Sequence, residues 1–137
     1  MQVVDYICEV TKALLHCTRP AYEHINNNHR GLSGEQIKDL KQINDQVDNI
    51  FNTINMMLRK RDFSQLDTVL EMRDMLFDTI AECIKSQIKR LKEVDASTKA
   101  SALYFNILNE TKTMVLQARN VIKSQAYFLD EIKVKQD

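Results

Sequence analysis

The stretch from Ser33 to Arg61 reads SGEQIKDLKQINDQVDNIFNTINMMLRKR. Within it Ile37, Leu40, Ile43, Val47, Ile50, Ile54 and Met57 recur at steps of three and four residues. That spacing lines one side of an α-helix with apolar groups. Ser33, with Gln36 three residues on, is the signature of a capping box. Arg59, Lys60 and Arg61 set cations where the helix dipole is negative. The segment is therefore a long amphipathic helix with a marked start and a marked stop.

The same pattern extends outward in both directions. The whole chain of 137 residues holds only 2 Gly and 1 Pro, and those residues are the main punctuation of secondary structure. Upstream, Val3, Ile7, Val10, Leu14, Cys17, Ala21, His24 and Asn28 form one stripe. Pro20 lies within it, removes a backbone donor and disfavours helix at Arg19. A kink or restart is expected there, with Thr18 as the cap, and Gly31 is expected to end the segment. Downstream, Ser64 is expected to cap a helix with Leu66, Leu70, Phe77, Ile80, Ile84 and Leu91 as its spine, flanked by Val69, Leu76 and Ile88. After a turn at Asp95-Ala96-Ser97, Ser97 caps a last helix. That helix carries Leu103, Ile107, Met114, Ala118, Val121 and Phe128, with Tyr104, Leu108, Val115 and Ile122 widening the face.

The expected fold is all-α: an up-down-up-down four-helix bundle in one domain, residues 1–137. Helices are predicted over 2–29 (kinked near Pro20), 33–60, 64–94 and 97–129, with a fraying charged tail over 130–137. Helices of ~28 residues would be ~40 Å long, and short connections make sequential helices antiparallel. A long coiled-coil oligomer would share the spacing, but short capped turns favour the bundle.

Composition narrows the function classes. Lys+Arg and Asp+Glu are both 19, so the basic excess of a nucleic-acid binder is missing. No apolar run approaches the ~20 residues of a membrane-spanning helix. The first ten residues, MQVVDYICEV, lack the basic start and apolar centre of an export signal. The reading is a soluble, unexported chain. Cys8, Cys17 and Cys83 form no CxxC pair and read as small buried hydrophobes of a reducing compartment.

Catalytic signatures are missing too: no Gly-rich phosphate loop, no nucleophile elbow and no Glu-x-x-His pair. Four groups of residues carry what chemistry there is. Glu35 and Asp39 are four apart and share a helix face, and Glu110 lies near an apolar seam. Folding back on short turns sets Glu23, Asp39, Glu82 and Glu110 at similar heights, an oxygen-rich layer that suits a divalent metal (Mn, Fe or Zn). Lys38, Lys85 and Lys112 at the same height make a salt-bridge layer the competing reading. Arg73 and Arg119 sit at matching heights, with Asp74 and Asp78 as natural partners in a partly buried ion network. His24 reads either as a hydrogen-bonded structural residue or as the phospho-acceptor of a signalling bundle. Basic residues gather at both ends: His29, Arg30, Lys89, Arg90 and Lys92 at one, Arg59, Lys60, Arg61, Lys133 and Lys135 at the other. They compensate helix dipoles or dock a pole on an acidic partner or anionic lipid.

The segments RPAYEHINNNHRGL (19–32) and LYFNILNETK (103–112), the latter running on to Gln117-Ala118-Arg119-Asn120, resemble the soluble C-terminal region of phosphate permeases from Bacteroides-like bacteria. That region is similar to the PhoU family of helical phosphate-transport regulators. The resemblance covers essentially the whole chain. It implies a non-enzymatic regulatory domain of phosphate transport, in the cytoplasm at the inner face of the cell membrane. Its partner would be a membrane phosphate permease, in cis or in trans, and homo-oligomers are compatible with it. Metal-binding Glu-x-x-x-Asp motifs are a family feature. Glu35 to Asp39 matches that spacing, and Glu110 and Asn120 match the last-helix motif, where Met114 replaces the second acid. Glu23, His24, Arg73, Arg119 and Asn120 are the candidates for a partner or ion network. A complete PhoU protein has two three-helix repeats, whereas this chain has four helices and no repeat.

Overall fold

The computed structural model describes residues 2–93 and 97–135. Four helices follow one another: α1 (Gln2–Asn26), α2 (Gly34–Lys60), α3 (Leu66–Glu93) and α4 (Thr98–Val134). The all-α four-helix reading holds. No described helix is long and apolar enough to cross a membrane.

Local chemistry fixes most helix ends. Ser33 Oγ accepts from Gln36 N at 3.2 Å, and Gln36 Oε1 accepts from Ser33 N at 2.9 Å. The capping box is thus formed as read. Ser97 Oγ accepts from Ala100 N and caps α4. Ser64 does not cap α3. Its N–H goes to Asp62 Oδ1 at 3.0 Å, which holds it in the turn, and α3 opens two residues later. The other half of the last turn, Asp95 and Ala96, lies outside the described residues.

α1 ends differently from the prediction as well. Gly31 has no positive φ; Asn28 takes the left-handed conformation instead, with φ 53°. His29 N donates to His24 O and Asn28 N to Ile25 O, the bond pair that closes a helix C-terminus. Arg61, at φ 49°, does the same for α2. At the other end of the chain, α4 runs to Val134, past the predicted fraying point.

Pro20 does not restart α1, which is helical through it. Thr18 is no cap: its hydroxyl donates back to Leu14 O inside the helix. Proline cannot donate to the carbonyl four residues earlier, here that of His16. Asn106 of α4 supplies the missing donor, with Nδ2 2.9 Å from His16 O. The helix survives its proline because a neighbour completes it.

The core is built by three helices. Ile43, Ile50, Ile54 and Met57 of α2 meet Val69, Leu76, Ile80 and Cys83 of α3 and Tyr104, Leu108, Val115, Ala118 and Ile122 of α4. In α3 the buried side takes Val69 and Leu76 from the predicted flank and Ile80 from the predicted spine, while Leu91 and Ile88 stay exposed. In α4 the widening residues form the centre, and Phe128 is exposed. Cross-links between helices fix their directions. Gln46 bonds Thr79 while Glu35 meets Arg90, Gln87 bonds Ser101 while Phe77 lies under Lys112, and His29 meets Lys99 while His16 meets Asn106. So α2 and α3, α3 and α4, and α1 and α4 are antiparallel.

α1 stands apart from this trio. Among the described residues its backbone comes close to α4 alone of the other helices. It buries Ala13 and His24, and Val10 touches the edge of the core. Val4, Ile7, Leu14, Leu15, Tyr22 and Ile25 are left between 51 and 74% exposed.

Candidate functional site

The densest polar cluster lies where the N-terminal ends of α2 and α4 meet the C-terminal end of α3. Arg90 is its hub. Its Nη2 donates to Asp39 Oδ2 at 3.0 Å, Nη1 to Glu35 Oε2 at 3.4 Å and Nε to Gln87 Oε1 at 2.9 Å. Tyr104 Oη donates to the same Asp39 oxygen at 2.7 Å. Gln87, 2% exposed, passes the chain on through Nε2 to Ser101 Oγ at 3.1 Å. The Arg90 guanidinium also lies over the Tyr104 ring, 5.9 Å from its centre.

Partial desolvation opposes the charge of Arg90, but Asp39 outweighs it and holds the guanidinium above its ordinary value. Burial, reinforced by the bond to Asp39, pushes the Tyr104 phenol far above the usual tyrosine range. Burial likewise raises the Cys83 thiol beside it. Tyr104 is thus a fixed proton donor, Cys83 an unreactive thiol and Arg90 a neutralised cation. The cluster is a clasp that ties three helices together. Over it opens a recess of about 490 Å³, lined by Arg30, Ser33, Glu35, Gln87, Ser97 and Ser101 among others.

The acids predicted to share a metal are not gathered. Glu35 and Asp39 do share a face, and both are taken up by Arg90. Glu110 instead faces α1, 4.0 Å from His16 Nδ1. Glu23 pairs with Arg19, and Glu82 with Lys85, on exposed surfaces. Among the described residues no three His, Cys, Asp or Glu side chains come together as a metal site. Matching heights along a bundle do not fix which way each helix turns its side chains.

The other singled-out residues are equally dispersed. His24 is 8% exposed, and its Nε2 lies 2.8 Å from Arg30 O, to which it donates. Its ring lies at a 57° tilt to that of His29, with ring centres 5.2 Å apart. It closes the α1–α2 connection, whereas a phospho-accepting histidine needs a ring nitrogen open to solvent. Arg73 pairs with its neighbour Asp74 at 2.6 Å and lies over Phe77. Arg119 does not join it: its Nε is buried without a hydrogen-bond partner among the described residues. Asn120 bonds Gln117 one turn back on α4.

Sequence reasoning missed the roles of Tyr104, Gln87 and Asn106, and read Arg90 as dipole compensation or as part of a docking pole. The available signal was polarity on a buried stripe. Gln87 falls in register with Ile80 and Cys83, where an unpaired amide would be costly.

A second feature joins the two segments that carry the family resemblance. A shallow groove between α1 and α4 is lined by Pro20, His24 and Asn27 on one side and Lys99, Leu103 and Asn106 on the other. Comparison with protein-family models, curated proteins and solved structures finds no match to this chain.

Proposed function

We propose that the chain is a non-enzymatic regulatory module of inorganic phosphate transport, resembling the PhoU-like C-terminal domain of a phosphate permease. It would work by helix–helix contact beneath the transporter, at the cytoplasmic face of the membrane. The observation that supports this most is the groove between α1 and α4. The two stretches that resemble the permease domain are far apart in sequence, yet both line it. Their polar residues serve the pairing itself: Asn106 completes α1 at His16, and His24 closes the loop through Arg30. The clasp at Arg90 points the same way, because its charges are spent on holding helices together rather than left poised for a reaction.

Phosphate uptake by cells carrying the parent transporter, with and without this segment, tests the proposal. The expected result is a changed uptake rate or a lost response to external phosphate, with transporter abundance unchanged. Identical uptake in both strains would sink the reading.

A further inference from the structure

The outer side of α1 carries an order that its contact with α4 does not use. With Val4 assigned to heptad position a, every charged or histidine residue of α1 except His24 falls at b or f: Asp5, Glu9, Lys12, His16, Arg19 and Glu23. Positions c and g carry Tyr6, Val10, Ala13, Cys17, Pro20 and His24. This is the side that meets α4, and its Ala13 and His24 are buried. Positions a, d and e carry Val4, Ile7, Cys8, Thr11, Leu14, Leu15, Thr18, Ala21, Tyr22 and Ile25 without one charge. A helix with a single neighbour needs one apolar stripe; on α1 the charge-free arc runs on past the c and g side that meets α4, through d, a and e. Even the two threonines conform. Thr11 and Thr18 donate their hydroxyls to Ile7 O and Leu14 O, both at 3.0 Å, so their polar hydrogens need no water.

The molecule as a whole has surface to spare for such a contact. The chain exposes 9346 Å². A compact monomer of 16.0 kDa exposes about 7,400 Å², which leaves an excess of about 2,000 Å². Each partner of a stable complex gives up roughly 800 Å².

We infer that the outer seam of α1 is covered by the same seam of a second copy of this chain, in an antiparallel pair about a two-fold axis between Leu14 and Leu15. The seam complements itself in that direction. Val4 meets Ile25 of the second copy, Ile7 meets Tyr22, Thr11 meets Thr18 and Leu14 meets Leu15. Large side chains meet large ones, threonine meets threonine, and the charged b and f positions stay at the rim. A two-fold interface of this kind is closed, so assembly stops at the dimer. The inference rests on α1 alone and does not depend on the phosphate reading.

Sedimentation equilibrium of the full chain at micromolar concentration should give twice the 16.0 kDa chain mass. Leu14→Glu should give a monomer with unchanged helical circular dichroism. Lys41→Glu, on exposed α2 surface, should stay dimeric. In a Cys8→Ser background, Thr11→Cys combined with Thr18→Cys should cross-link between chains on mild oxidation, while either change alone should not. A monomeric parent chain would overturn the inference, as would a dimer that survives Leu14→Glu. Dissociation by Lys41→Glu would also overturn it, and cross-linking by a single cysteine would refute the antiparallel arrangement. None of these results bears on uptake, so the two proposals fail separately.

Discussion

Tyr104 shows how a buried polar atom can specify a bundle. The side chain is fully buried in the core, and its hydroxyl reaches Asp39 on another helix. Tyr104→Phe keeps the ring and removes one bond to a charged acceptor, so the fold should persist with a loss of about 1–2 kcal/mol at neutral pH. The folded phenol is held above its ordinary 10.0. Below pH 10.0 both folded and unfolded chains keep the proton, and the stabilisation is present in full. Above it the unfolded chain releases a proton that the folded chain retains, and stability falls as the pH rises. Urea unfolding from pH 8 upward should therefore show the gap between the parent and Tyr104→Phe closing above pH 10. A constant gap would mean that Tyr104 is solvated.

At the scale of one helix, Pro20 and Asn106 make a measurable pair. Asn106→Ala should cost about 1 kcal/mol in the parent, because it leaves the His16 carbonyl without a donor. In a Pro20→Ala background α1 supplies its own N–H, and the same change should cost markedly less. A double-mutant cycle of denaturation midpoints reads the coupling; additive effects would contradict the assignment. This pair also marks the limit of what the sequence discloses. Ser33 with Gln36, and Ser97 with Ala100, were legible because each bond spans three residues. The unbroken α1 was not, because the donor that repairs it lies 90 residues beyond His16. The same holds for the clasp. Glu35 and Asp39 were readable as neighbours on one face, but their common partner Arg90 is more than fifty residues distant. Stripes located the buried side of α3 only to within one column of residues, so Leu76 displaced Phe77 from the centre. A small rotation of a helix costs little in periodicity and decides which side chains meet.

For the whole molecule, the uneven packing predicts uneven stability. The core is shared by α2, α3 and α4, while α1 is held by α4 alone among the described residues. Regions with few buried contacts open at lower free energy than the core. Amide hydrogen exchange followed by mass spectrometry should show α1 exchanging well before the centres of α2, α3 and α4. Its protection should rise with protein concentration, since the second copy covers the same helix. Equal protection in all four helices of a dilute sample would show that α1 belongs to the common core.

The pairing of the first helix with the fourth also sets a timetable for synthesis. α1 leaves the ribosome before α4 exists, and at 5–20 residues per second it waits several seconds for its packing partner. During that interval α2 and α3 can already close on each other as neighbours in sequence, while α1 has nothing of its own chain to lie against. Closing the α1–α4 pair then means closing a loop through most of the chain, an entropic cost met late. Nascent chains stalled before α4 should therefore expose the whole apolar arc of α1, and that is the stage at which a chaperone has the most to hold.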